Sequence, residues 1–160
     1  MTRTMRHSAL FGAVIGYIAL MIIGCASEPQ RPVAEYSPTT GEKAATTAVS
    51  MIDRPYKYRG VSPAGFDCSG LVRYSYLSAG MDVPHGTKEL RNVTSPVDPG
   101  DIRKGDLLFF NERGRRYSHV GIYLENDLFV HAPGRHGKVR TDSLQDPHWK
   151  KSFIEARRLD

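Results

Sequence analysis

The stretch SHVGIYLENDLFVHA, residues 118–132, holds two β-rich runs on either side of the polar triplet Glu125, Asn126 and Asp127. A strand sends successive side chains to opposite faces, so Val120, Ile122 and Leu124 share one face and His119, Gly121 and Tyr123 the other. With the triplet as a three-residue hairpin loop, Leu124 stands opposite Leu128, Gly121 opposite His131, and His119 opposite Pro133. That register puts His119 and His131 on one face as diagonal neighbours, about 7–8 Å apart between backbones, with only the hydrogen of Gly121 beside them. A two-residue loop would send the imidazoles to opposite faces, so their meeting is conditional on the turn.

Outward from this hairpin, the chain after Asp106 reads as strand. DLLFF, SHVGIYLE, LFVHAP, KVRTD and FIEARRL are short β-rich runs separated by Gly, Pro, Asn and charged residues. The chain before it reads as helix and loop. EKAATTAVSMI, from Glu42, has the alanine content of a helix that ends before Pro55. RPYKYRGVSPAGF is punctuated by Pro and Gly and reads as a loop carrying exposed tyrosines. Asp67 then stands as an N-cap, Val72, Tyr76 and Ala79 follow at i, i+4 and i+7, and Gly80 closes the helix. MDVPHGTKELRNVTSPVDPGDIRKG reads as mostly loop with one short helical turn. Helices first and an antiparallel sheet after make an α+β domain, and 160 residues at 40% hydrophobic content suit one domain with one core.

The first residues are of another kind. Arg3, Arg6 and His7 precede an uncharged run from Ser8 to Gly24, which ends Ile22-Ile23-Gly24-Cys25. A basic start, an apolar middle and a small residue before a cysteine follow the layout of a bacterial lipoprotein signal, in which the cysteine is lipidated. The run is short for a spanning helix, which needs roughly 20 apolar residues. The expected organisation is a signal peptide over 1–24, lipidated Cys25 with a flexible tether to residue 41, and a folded domain over 42–160. The formal charge of +5 falls to +3 without Arg3 and Arg6, and no basic motif with interleaved aromatics speaks for nucleic-acid binding.

Cys68 is the one cysteine outside that N-terminal segment. It lies in the first turn of the expected helix, and helix N-termini and neighbouring imidazoles both lower a thiol pKa. Among six histidines, His119 and His131 are the pair the hairpin assembles. A thiol leading a helix, a base on a sheet and a third polar group to orient the base suggest a papain-like arrangement. Three alternatives stand beside it: a buried core thiol, a disulfide with Cys25, and zinc held by Cys68, His119 and His131. The zinc reading lacks the closely spaced ligand pairs such sites usually show.

PYKYRGVSPAGFDCSGLVRYSY, KGDLLFF, SHVGIYLENDLFVHA and FIEARR together resemble the NlpC-type family of bacterial cell-wall cysteine peptidases, from about Pro55 to Arg158. The resemblance implies a papain-like domain, with the nucleophile at a helix N-terminus packed on an antiparallel sheet. It implies an endopeptidase that cuts peptidoglycan stem peptides at the D-γ-glutamyl–diaminopimelate bond, with no cofactor and no metal. Residue by residue, it makes Cys68 the nucleophile, His119 the base, His131 the residue that orients the base, and Tyr56 a hydroxyl near the oxyanion or substrate. Ser69 becomes a substrate contact, and Asp67 is read as the helix cap. Where family members commonly have Gly-Gly this chain has Arg59-Gly60, and where they often have Pro-Arg before Ser or Thr it has Pro84-His85-Gly86-Thr87. Arg59 and His85 are therefore candidate substrate contacts, and Arg113, Arg115 and Arg116 are either carboxylate contacts or a solvated hairpin tip.

Membrane attachment through Cys25 fits a wall substrate, and Ala26 after it is compatible with the periplasmic face of an outer membrane in a Gram-negative host. Two other readings are a wall-fragment amidase or transacylase of the same fold, and a catalytically silent envelope lipoprotein.

Overall fold

In a computed structural model, the structure describes residues 39–112, 114–134 and 137–159. The signal, Cys25 and nearly all of the tether lie outside the described residues, as do Arg113 and His136. No described helix is long and apolar enough to cross a membrane.

The first helix, α1 (Thr40–Val49), starts two residues before the expected boundary. The reason is a capping box: Thr39 accepts from the Glu42 backbone N–H, and the Glu42 side chain accepts from that of Thr39. The Pro- and Gly-rich segment after it is not wholly irregular, since β1 (Val61–Ser62) and β2 (Gly65–Phe66) pair there as a short ribbon. The second helix, α2 (Cys68–Ser78), begins where Asp67 accepts from the Gly70 backbone N–H at 2.7 Å. It ends in a Schellman motif, with Met81 N–H donating to Tyr76 C=O and Gly80 N–H to Leu77 C=O, and Gly80 at φ +93°.

The expected helical turn is α3 (Thr87–Asn92). Beyond it the structure adds β3 (Ser95–Val97), in a segment whose Pro and Asp content read as loop. Then come β4 (Leu107–Glu112), β5 (Arg115–Tyr123), β6 (Leu128–His131) and β7 (Arg140–Ser143), followed by a helix the sequence reading missed, α4 (Pro147–Ser152), and finally β8 (Phe153–Arg158). These strands form an antiparallel sheet in the order β3-β8-β4-β5-β6-β7.

Leu107 to Phe110 of β4 are buried on both faces of this sheet. On one face Leu107, Phe109, Val120, Ile122 and Val130 pack with α1 and α2 through Ala45, Leu71, Val72 and Tyr76. On the other, Leu108, Phe110, Phe129 and Ala156 pack with Trp149 of α4. The β5–β6 register has Ile122 opposite Val130 and Tyr123 opposite Phe129, and Leu124 N–H donates to Leu128 C=O at 2.9 Å. This is the three-residue connection expected from the sequence, with Asn126 and Asp127 in the left-handed region at φ +52° and +61°. Gly121 has a packing reason as well: a Cβ there would sit 2.6 Å from the Phe129 ring.

Candidate active site

The start of α2, the start of β5 and the end of β6 meet at one end of the sheet. A cleft there is lined by Tyr56, Tyr58, Cys68, Glu112, Ser118 and His119, with Arg115, Ala132 and Gly134 completing its wall. Cys68 is half-buried and unpaired, with its Sγ 3.9 Å from Thr87 Oγ1. The helix start is held tightly in place, since Gly70 lies so close to the Gly60 carbonyl that a Cβ would run into it.

Behind the cleft, His119 is 3% exposed and His131 fully buried. Their Nε2 and Nδ1 atoms are 2.7 Å apart, a single hydrogen bond between rings that meet edge to face. His131 Nε2 lies 2.9 Å from Asp142 Oδ2, which also accepts from Trp149 Nε1–H at 2.9 Å and from Arg140. The Trp149 indole stacks on His119 at 5.4 Å. On its other side, His119 Nδ1 lies 3.7 Å from Glu112 Oε2, and Glu112 Oε1 lies 3.6 Å from His148 Nε2. Trp149, Asp142 and Glu112 were all missed in the sequence. Asp142 sits in a run read only as strand, and α4, which carries Trp149, was not foreseen.

The electrostatics correct one expectation. Burial, and then the Asp67 carboxylate, push the Cys68 thiol up to about 11, against backbone hydrogen bonds from Val120 and Ser69 and the Thr87 hydroxyl. The lowering expected of a helix start is outweighed here by desolvation and the neighbouring acid. Burial, and then His131, hold His119 down at about 3, opposed by Glu112 and Asp142. Burial likewise holds His131 down at about 4, opposed by Asp142. The resting pair is thus a neutral thiol and a neutral imidazole. Once a proton passes between them the two opposite charges stabilise each other.

Ser69 is buried, with its hydroxyl donating to Asp67 Oδ1 at 3.2 Å, so it faces the protein rather than the cleft. His85 Nε2 lies 3.0 and 3.1 Å from the two Asp67 oxygens and braces the helix cap. Arg59 is exposed, is not among the cleft-lining residues, and holds φ +55°, a conformation that glycine adopts at no steric cost. Arg115 and Arg116 line a groove with Lys88, Tyr117 and Ser118 that shares Arg115 and Ser118 with the cleft. Zinc does not fit the donor set. The facing nitrogens of the two rings share a hydrogen bond and the other His131 nitrogen is on Asp142, so His131 turns no lone pair to the cleft.

A thiol at a helix start, an imidazole on an antiparallel sheet and a polar residue behind that imidazole define a papain-like cysteine-peptidase architecture. The NlpC/P60 family matches residues 53–158, and the chain belongs to that family. It is 34% identical over 116 residues, 69% of this chain and 43% of the relative, to the murein DD-endopeptidase MepH of Escherichia coli. It is 37% identical over 121 residues, 70% of this chain and 26% of the relative, to the peptidoglycan DL-endopeptidase CwlO of Bacillus licheniformis. The chain thus spans less than half of either relative. A crystal structure from Staphylococcus aureus, described as similar to a lipoprotein of the NLP/P60 family, superposes with a TM-score of 0.68 at 32% identity, covering 78% of this chain and 43% of that one.

Proposed function

We propose that this protein is a peptidoglycan hydrolase, a cysteine endopeptidase acting on stem peptides through Cys68 and His119. The observation that carries the reading is a thiol and a buried imidazole on one cleft, with the imidazole braced from behind by a second ring. His119 Nδ1 takes the Cys68 proton as sulfur attacks the amide carbon, and the C=O electrons move onto oxygen. The backbone at the start of α2 and the Tyr56 hydroxyl receive that oxyanion. As the tetrahedral carbon collapses, the C–N bond breaks, His119 hands its proton to the leaving amine, and a thioester remains. A water then gives a proton to His119 and its oxygen to the acyl carbon, the C–S bond breaks to release the acid, and His119 returns that proton to sulfur, restoring the thiol.

The bond assigned is D-γ-glutamyl–diaminopimelate, in keeping with the name of the Bacillus relative. The name of the Escherichia relative favours a second reading, the D,D cross-link between stem peptides. Lipidation of Cys25 would hold the domain beside the wall on a short tether, and the description of the Staphylococcus structure supports a lipoprotein. Mass spectrometry of digested, defined muropeptides decides between the two bonds. Split uncross-linked stem peptides support the assigned bond, dimers converted to monomers support the second, and no product from either removes the endopeptidase reading.

A further inference from the structure

We propose that Asp142 is a positioning residue that fixes the ring tautomers of His131 and His119, and so keeps His119 Nδ1 as the basic nitrogen available to the thiol. The proposal rests on the reading of Cys68 and His119 as the reacting pair, and its foundation is a hydrogen-bond chain that runs in one direction only.

The chain starts at the carboxylate. Burial alone would raise Asp142, but the hydrogen bond from Arg140 and the nearby His131 hold it below its ordinary value. An ionised carboxylate only accepts, so each of its neighbours must donate. Trp149 Nε1 and the Arg140 guanidinium have protons to give in any state. His131 Nε2, 2.9 Å away, must therefore carry its proton. The His131 ring is neutral and fully buried, so its Nδ1 holds a lone pair. Only 2.7 Å separates that lone pair from His119 Nε2, which must then be the N–H donor. His119 is neutral in turn, leaving its Nδ1 as the basic nitrogen, and this is the atom 3.7 Å from Glu112, a residue that lines the same cleft as Cys68.

Reversing the chain exposes what Asp142 excludes. A proton on His131 Nδ1 would donate to His119 Nε2 and push the His119 proton onto Nδ1, where no base would remain for the thiol. That arrangement sets a lone pair of His131 Nε2 against the Asp142 carboxylate in a site closed by Trp149, so the carboxylate disfavours it. The charged groups facing His119 are Glu112 from β4 and Asp142 from β7, with His131 from β6 and His148 from α4 as the titratable rings. Of these only Asp142 reads out through a hydrogen bond to His131.

The test is two-bond nitrogen–proton NMR of the imidazoles in the full domain, alongside turnover on purified peptidoglycan. In wild type both rings should be protonated at Nε2, and a His119 protonated at Nδ1 overturns the proposal whatever the variants do. Asp142→Leu, which keeps the branched shape and removes the acceptor, should shift both rings toward Nδ1–H and lower kcat/KM on the order of 10- to 100-fold. Asp142→Asn, whose amide oxygen can still accept from His131, should keep the wild-type tautomers and recover most of that loss. Asp142→Leu within twofold of wild type, or Asp142→Asn as impaired as Asp142→Leu with unchanged tautomers, would contradict the role. An inactive wild type instead strikes the peptidase reading and leaves the tautomer result standing by itself.

Discussion

At the scale of single residues, the thiol governs the chemistry. A Cys68 pKa raised to about 11 predicts that alkylation by iodoacetamide is slow at neutral pH and accelerates steadily toward pH 10 without a plateau near pH 7. A plateau at or below neutrality would mean a preformed thiolate–imidazolium pair. Asp67 is the second residue of consequence. Its side chain accepts from Gly70 N–H, Ser69 Oγ and His85, so Asp67→Ala removes a helix cap and should lower unfolding free energy by about 1–2 kcal/mol in denaturant titrations. An unchanged midpoint would show that the cap is redundant. Cys68, His119, His131 and Asp67 were legible in the sequence because each is announced locally, by a helix-start pattern or by strand alternation. Asp142 and Glu112 were not, because a lone acid in a strand carries no signal until its partners from other elements are known.

At the scale of elements, the β5–β6 hairpin sets the site. Its register was readable because the polar triplet between two alternating runs fixes both the loop length and the faces. Gly121→Ala should test it directly: a Cβ 2.6 Å from the Phe129 ring has no room, and overpacking of this kind costs about 1–3 kcal/mol. Thermal unfolding checks the loss, and an unperturbed variant would show that Phe129 yields freely. What the sequence hid at this scale was short or shared structure. β3 has three residues, two of them exposed, and is a strand only because β8 supplies its hydrogen bonds. α4 has six residues, and its apolar content is chiefly Trp149, so periodicity had nothing to detect.

At the scale of the whole molecule, the two faces of the sheet divide the work: one packs the helix that begins at Cys68, the other packs Trp149 against the imidazoles. Burying two neutral histidines has a consequence for acid stability. Folded pKa values near 3 and 4, against an ordinary 6.5, mean that the unfolded chain binds more protons across that interval. Their contribution is complete above about pH 6.5 and is lost as pH falls toward 4 and 3. The depressed carboxyls of Asp142 and Glu155 act in the same direction at lower pH. Denaturant unfolding should therefore give a stability that declines from pH 7 to pH 4, with a shallower decline in His131→Asn, and a flat wild-type profile would contradict buried neutral rings. The α+β class was legible from the order of helical and strand patterns, whereas this division between faces depended on α4 and was not.

The assignment of Cys68 as the nucleophile of a peptidoglycan endopeptidase is tested most directly by comparing soluble peptide fragments released from purified peptidoglycan by wild type and by Cys68→Ala at equal concentration. Wild type should release fragments and Cys68→Ala none above buffer, with both proteins equally folded by circular dichroism. Equal release by the two would contradict it.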